Sequence, residues 1–271
     1  LYADLARIQT YSTSMMATEG KFIRLEEAKL NIEQAILLDG YNSYAFAVQS
    51  LVLDWYSSNL SVIGDFDAAD RMLADAAQAA VRAVQLDNTN ALALAFQAEV
   101  YLDQFRFTDA IQLAEIAVER GPHLMDTHRV YALVLESTQN YAEAIDEYKA
   151  AAEINPNLTF LYISIGQYYR QLALYEQALD YFALAAQINE LLEFSDPLPY
   201  IAIAKTYVRQ GEFFIAARNA QKAIELAPEV PDYYGQLGDI FVRSRNYEGA
   251  IPVLKCAIEG CTAEENPEQT I

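Results

Sequence analysis

The sequence predicts an all-α protein, a solenoid in which about seven antiparallel helix pairs stack one upon the next. Three observations support this class. Apolar residues recur at helical spacing, in units of about 34 residues, from residue 91 to residue 262. Only 10 glycines and 8 prolines interrupt 271 residues, which leaves room for helices and short turns. No segment alternates apolar and polar residues as a strand does.

The clearest unit runs from Met125 to Leu158. It carries two apolar stripes at helical spacing, first Tyr131, Ala132 and Leu135, then Ala144, Ile145, Tyr148 and Ala151. A polar turn at 136–140 separates them, and Pro156 stands where the second helix should end. The small alanines allow two helix axes to approach closely, while the tyrosines fill the space beside them.

This unit resembles the tetratricopeptide repeat, whose 34-residue pattern has Leu-Gly, Tyr, Ala, aromatic and Pro positions. Shifting the window finds the same pattern in four further units. The five regular units are 91–124, 125–158, 159–196, 197–230 and 231–262, with a four-residue insertion near 193–197. The resemblance implies a right-handed superhelix whose concave side is lined by the first helix of each unit.

Residues 1–90 predict two divergent helix pairs of the same kind. The first pair comprises a weakly patterned helix over residues 1–20 and a second from about Lys21 to Leu38, which Asp39-Gly40 ends. Terminal repeats often diverge because one of their faces meets water.

The second divergent pair runs from about Asn42 to Ser57 and from about Phe66 to Leu86. It contains an insertion near 58–65 beside Trp55, and matching positions lie about 16 residues further apart than in other units. Either both helices are longer or a loop projects at that turn. At the other end of the chain, residues 263–271 form an acidic tail that we expect to begin a further repeat.

The charge of the chain excludes several classes of partner. A net charge of −20 and a pI near 4.3 argue against nucleic acid and against anionic membranes, which both require a basic surface. No apolar run is long enough for direct membrane insertion. The chain starts at Leu1 rather than methionine, so we expect a fragment or a mature form.

The only two cysteines, Cys256 and Cys261, leave the compartment open. Five residues apart on one continuous helix, they would lie too far from each other for a disulfide. Gly260 could instead end the helix and turn Cys261 back toward Cys256. A disulfide would indicate an oxidising, extracytoplasmic location, whereas two reduced core thiols would fit the cytoplasm.

We find no pattern that predicts catalysis, a metal site or a cofactor. His123 and His128 flank a turn and are expected to be structural. Cysteines and carboxylates do not occur at the spacing of a zinc site, and neither a phosphate-binding glycine loop nor a GxSxG motif is present.

If the apolar stripes pack between helices, a second stripe on the first helix of each unit stays free. The family resemblance implies that this stripe lines the concave groove, where partner peptides usually lie. We predict that its members contact a protein or peptide. The predicted partner-binding residues are Arg129, Phe160, Gln167, Arg170, Lys205, Arg209, Gln236 and Arg243.

Cations cluster on this stripe in a chain that has only 18 basic residues. They are Arg170, Lys205, Arg209 and Arg243. Because arginine pairs bidentately with carboxylates, an acidic peptide or a C-terminal carboxylate is one hypothesis. The alternative is that these cations pair with nearby acids such as Asp232 and Asp239.

Some members of the family grip a C-terminal carboxylate with a fixed set of lysines, asparagines and an arginine. In this chain the ninth repeat position carries Gln167, Lys205 or Asp239 rather than asparagine. This departure argues against a carboxylate clamp of the chaperone type.

The sequence therefore predicts a non-enzymatic scaffold that binds a protein or peptide in its groove. Two alternatives stay open. The array could be the accessory arm of a larger enzyme or membrane-anchored protein, or it could be a self-associating assembly module. Flanking sequence would test the first alternative, and sedimentation at several concentrations would test the second.

Overall fold

The structure is a computed structural model that describes residues 1–16 and 18–261. Helices account for nearly all of these residues, and they contain no strand. The helices are α1 (Tyr2–Ser12), a short 3-10 helix (Thr13–Met15), α2 (Thr18–Leu38), α3 (Ser43–Val62), α4 (Phe66–Leu86), α5 (Ala91–Asp103), α6 (Phe107–Arg120), α7 (Met125–Ser137), α8 (Tyr141–Ile154), α9 (Thr159–Gln171), α10 (Tyr175–Leu191), α11 (Leu198–Gln210), α12 (Phe213–Leu226), α13 (Pro231–Arg243) and α14 (Tyr247–Glu259).

These helices fall into two compact units, one from Leu1 to Leu161 and one from Tyr162 onward. In the first unit every helix from α1 to α8 contacts the next helix in the chain. The first helices of successive pairs, α1, α3, α5 and α7, also contact one another in that order. In the second unit the helices from α10 to α14 contact their neighbours in the same way. The predicted fold class, an all-α solenoid of antiparallel helix pairs, is confirmed.

The turns within the regular pairs share one backbone feature. Each contains a residue with positive φ: Phe105, Gln139, Ala173, Gly211 and Arg245. Only one of the five is glycine, the residue that adopts this conformation without steric cost. The other four turns have residues that are not typical of this conformation, so the packing of the flanking helices must hold them. A search of the sequence for glycine at turns therefore does not find them.

In the second divergent pair, the structure decides between longer helices and a projecting loop near residues 58–65. Helix α3 extends to Val62 and α4 begins at Phe66, so the additional residues lengthen the helices and a projecting loop is absent there. Buried Leu60 and Ser57 explain the extension, since the apolar face continues and the Ser57 hydroxyl donates to the carbonyl of Ala69 at 2.8 Å. In the first pair, α1 ends earlier than expected, at Ser12.

The predicted alanine stripes form the centre of the packing. Fully buried alanines occur at matching positions of successive second helices. Their methyl side chains are small enough to let neighbouring helices approach closely. These alanines are Ala110 and Ala117 in α6, Ala144 and Ala151 in α8, Ala178 and Ala185 in α10, and Ala216 and Ala223 in α12.

The cysteines lie at the end of α14. Gly260, with φ of 78°, follows the last helical residue and returns the chain toward the helix. The Cα atoms of Cys256 and Cys261 are 4.8 Å apart, and their sulfur atoms are joined in the structure. The turn at Gly260 is the feature that makes this pairing geometrically accessible. The acidic tail at 263–271 lies outside the described residues.

Candidate binding surfaces

The first unit contains a polar cluster, which we call the inner cluster, on the sides of α3, α5 and α7 that face α1. Its members come from five helices and are Arg7, Tyr11, Asp54, Trp55, Glu99, Asp103, Asp126, Arg129 and Phe160. Several of them occupy the repeat positions that the sequence assigns to the free stripe. The structure decides which of them remain free.

Arg129 is not free. Its guanidinium forms a bidentate ion pair with Glu99, with Nη1 donating to Oε1 at 2.7 Å, and the two side chains are only 3% and 8% exposed. Although burial opposes its charge, the Glu99 carboxylate holds the pKa of Arg129 well above its usual value. The cation also lies 5.5 Å from the ring of Tyr11 and 5.9 Å from that of Trp55.

Helix α1 covers this surface through two side chains. Tyr11 packs edge-on against Trp55 at 5.3 Å and stacks on Phe160 at 6.1 Å, and its hydroxyl donates a hydrogen bond to Asp126. Arg7 adds an ion pair with the same carboxylate at 2.8 Å. Burial raises the pKa of Tyr11 well above its usual value, so its hydroxyl stays protonated and able to donate.

These contacts correct part of the site prediction. The sequence assigns Arg129 and Phe160 to a partner, but the chain's own first helix already occupies the space in front of them. The assignment is wrong for Arg129, which is buried in an internal ion pair. Tyr11 is the residue that sequence reasoning missed, because it stands in a weakly patterned helix 115 positions from Asp126.

A pair of carboxyl groups lies at one side of the inner cluster. Asp54 is buried, its Oδ1 has no hydrogen-bond partner among the described residues, and Asp103 is its strongest influence of like charge. Burial, followed by the negative charges of Asp103 and Glu99, raises the pKa of Asp54 well above its usual value. Burial and Glu99 raise the pKa of Asp103 to about 6.

This pair gives a pH-dependent prediction. Because the folded-state pKa values lie above those of the unfolded chain, the two carboxyl groups stabilise the fold most at low pH. That contribution is lost as the pH rises through about 6 for Asp103 and as Asp54, whose pKa is also raised, ionises. Asp54→Asn should therefore raise the free energy of unfolding on the order of 1 kcal/mol at pH 7.5 and add little at pH 4.5. Urea unfolding at both pH values checks this, and an equal gain at both would contradict the assignment.

The second unit has an open cavity of about 340 Å³, which we call the cationic cavity. Three first helices line it, α11 and α13 through residues about one turn apart and α9 through two consecutive residues near its end. The lining residues are Arg170 and Gln171 of α9, Ala204, Lys205, Val208 and Arg209 of α11, and Asp232, Gly235, Gln236, Asp239 and Ile240 of α13. Four of the eight predicted partner-binding residues meet here: Arg170, Lys205, Arg209 and Gln236.

Arg170 is the most firmly held cation of this cavity. Its Nη1 donates to the carbonyl oxygen of Ala202 at 3.1 Å, and its guanidinium lies 5.6 Å from the ring of buried Phe182. Burial and the neighbouring charge of Arg209 lower the pKa of Arg170. The two guanidinium groups are thus close enough to repel each other.

Lys205 and Arg209 lie one turn apart on α11, and both are exposed. Neither forms an ion pair with any residue that the structure describes, and the same is true of Arg170. The cavity therefore presents three cations that no carboxylate of the described chain neutralises.

The two acids of the cavity already have hydrogen-bond partners within α13. Asp239 accepts from Arg243 at 2.6 Å, and Asp232 accepts from the side-chain amide of Gln236 at 2.5 Å. The expected internal pairing is therefore found for Arg243 alone. Gln236 keeps a buried side-chain oxygen that has no hydrogen-bond partner. Gln167 is exposed and does not line the cavity.

Two further findings bear on chemistry. Across residues 1–16 and 18–261, no cluster of three or more His, Cys, Asp or Glu side chains is arranged to hold a metal ion. Over the same residues, no helix combines the length and hydropathy that a membrane span requires.

Stacked antiparallel helix pairs, with small residues at each helix crossing, define a helical-repeat protein. The tetratricopeptide repeat model matches residues 97–158 and 201–264 of this sequence. This match identifies these two segments as tetratricopeptide repeats, and the fold around them is of the same kind. Comparison with curated protein sequences found no match.

Solved structures of the same fold are distant in sequence. A chain of the APC/C hetero-tetramer Cut9-Hcn1 superimposes with a TM-score of 0.63 at 8% identity, covering 97% of this chain and 53% of that one. A thermophilic TPR protein from Thermus thermophilus gives 0.54 at 19% identity, with 71% and 99% coverage. YrrB, described as a TPR protein with an unusual peptide-binding site, gives 0.50 at 18% identity, with 79% and 97% coverage. At these identities the likeness concerns the fold alone.

Proposed function

We propose that this protein is a non-enzymatic interaction scaffold that binds an acidic peptide segment of a partner protein in the cationic cavity of its second unit. Its tetratricopeptide repeats, and the peptide-binding site named for YrrB, support a scaffold that engages proteins. The observation that carries the finer proposal is the set of three unneutralised cations around one cavity, Arg170, Lys205 and Arg209.

Electrostatics favour an anionic guest at this place. The chain as a whole carries a net charge of −20, so an acidic peptide is repelled by most of its surface. Only a local excess of positive charge can reverse that repulsion. Carboxylates that enter the cavity would gain charge-assisted hydrogen bonds, which are about twice as strong as neutral ones. The same arrangement would reject basic segments, and this gives selectivity.

Burial favours the second unit over the first. In the inner cluster the corresponding cation, Arg129, already has an internal carboxylate partner and is covered by Tyr11. In the cationic cavity the corresponding cations face open space. We therefore assign partner binding to Arg170, Lys205, Arg209 and Gln236, while Gln167 and Arg243, which do not line the cavity, stay predictions.

Charge reversal provides the test. We expect the triple variant Arg170→Glu, Lys205→Glu and Arg209→Glu to lose binding of a fluorescent Glu/Asp-rich peptide pool by about 100-fold or more, because three charge-assisted contacts become repulsive. Fluorescence anisotropy at low and high salt measures the loss, and circular dichroism verifies that helicity is retained.

The matched control reverses three cations of the same unit that lie away from the cavity: Arg218→Glu, Lys222→Glu and Lys255→Glu. Both triple variants change the net charge equally, so long-range repulsion affects them alike. Sedimentation velocity of each sample shows whether self-association contributes to the signal. Equal losses in the two variants, or unchanged binding by the cavity variant, would refute the proposed site.

A further inference from the structure

We propose that the cationic cavity recognises a dianionic phosphoryl group, carried on a phosphorylated side chain of the partner, in preference to a carboxylate. This inference rests on the proposed function, since it names the chemical group that the same cavity selects. Phosphorylation of the partner would then control whether the scaffold captures it.

The first support is the balance of fixed charges. Three cations, Arg170, Lys205 and Arg209, line the cavity together with two carboxylates, Asp232 and Asp239, and Arg243 from outside the lining neutralises Asp239. The excess is two positive charges. A glutamate or aspartate side chain supplies one negative charge, whereas a phosphomonoester supplies about −1.5 to −2 at pH 7. The phosphoryl group is therefore the better complement to the cavity.

The second support is the convergence of donors. Arg170 reaches the cavity from α9, and Lys205 and Arg209 reach it from successive turns of α11. A carboxylate offers two oxygens in one plane, while a phosphoryl group offers three oxygens that point in different directions. Three cations that approach from two helices match the second geometry more closely.

The third support is the position in which Arg170 is held. One of its guanidinium nitrogens is fixed by the Ala202 carbonyl, and its plane lies beside Phe182, so the group is positioned before any ligand arrives. No other hydrogen bond of this guanidinium is found in the described part of the chain. It faces the like charge of Arg209, and a dianion between the two groups would convert that repulsion into attraction.

The wall of the cavity that α13 forms leaves space for the phosphoryl group. Gly235 lies in α13 among the lining residues, and a Cβ atom added there would find no atom within 4 Å. The volume of about 340 Å³ leaves room for neighbouring partner residues beside the phosphoryl group. A free phosphate ion would not fill it, which is why we assign the group to a peptide.

The test compares three labelled peptide pools that share the same randomised flanks and carry a central phosphoserine, glutamate or serine. We expect the phosphoserine pool to bind at least about tenfold more tightly than the glutamate pool in anisotropy titrations at pH 7.5. Lowering the pH to 5.5 should weaken phosphoserine binding, because the second phosphate pKa is about 6, and should leave glutamate binding nearly unchanged. Inorganic phosphate is titrated as a competitor.

A steric variant separates cavity binding from surface charge. Gly235→Leu adds a side chain to open space in a helix, so it should keep the fold and yet block phosphoserine binding by at least about tenfold. The control triple variant at Arg218, Lys222 and Lys255 should lose only the part of the affinity that long-range repulsion removes, and should respond to Gly235→Leu as the native protein does.

The outcomes distinguish the two proposals. Equal affinity for the phosphoserine and glutamate pools overturns this inference and leaves the proposed function standing. Binding of neither pool overturns both. Competition by inorganic phosphate as strong as that by the phosphopeptide also overturns the inference, because the cavity would then recognise a free anion.

Discussion

Replacing Arg129 with methionine should lower the free energy of unfolding of the first unit by about 3–5 kcal/mol, the usual effect of removing one partner from a buried ion pair. Glu99 would keep its place between α5 and α7 without a counter-charge. The raised pKa of the nearby Asp54 shows how unfavourable negative charge already is in this cluster. Tyr11 and Trp55 would also lose the cation beside their rings. Urea unfolding followed by circular dichroism measures the change.

The control is the double variant Arg129→Met, Glu99→Leu, in which both charges are replaced by apolar groups. It should recover more than half of the loss, because a well-packed apolar pair substitutes for a buried ion pair at little cost. If the single variant loses less than about 1 kcal/mol, Arg129 must reach solvent and could again be considered a partner-binding residue.

Adding one methyl group at Gly166 should lower stability by about 1–3 kcal/mol, although glycine to alanine normally favours a helix. A Cβ atom at this position would lie 2.5 Å from Cε1 and 2.7 Å from Cδ1 of Phe182. That ring is completely buried, and the Arg170 guanidinium lies 5.6 Å from it, so a shift of the ring would disturb its neighbours. Thermal and urea unfolding of Gly166→Ala measure the effect.

Gly235→Ala is the matched control, since Gly235 also lies inside a first helix of the second unit and has open space around its added Cβ. It should be neutral or stabilising by up to about 1 kcal/mol. The sign of the effect should therefore differ between two identical substitutions. A destabilisation shared by both would mean that helix packing at Gly166 is looser than the structure indicates.

Gly166 shows how far the sequence could predict the fold. Its place in the Leu-Gly position of the repeat predicts a close approach of two helices, and the structure brings the Phe182 ring to that point. The buried alanines follow the same logic, because a 34-residue period repeats one local packing arrangement in every unit. Turn residues such as Ala173, with positive φ, carry no comparable signal.

The exposed placement of the basic side chains could be predicted in one unit and not in the other. Lys205 and Arg209 stand four residues apart on one helix, so their shared face follows from helical geometry alone. Arg129 stands on the equivalent face of α7, yet it is buried by Tyr11 from α1. Nothing in the local pattern of either helix records that contact.

The sequence alone determined the helix pairs, their spacing and the face on which the basic side chains of the second unit would gather, since each of these depends on residues within a few helical turns. Only the tertiary structure decided which cations stay free and which are neutralised. That choice depends on partners as distant as Tyr11 and Asp126, 115 positions apart. Such pairs are selected by the packing of whole helices, and a periodicity measured along the chain does not contain that information.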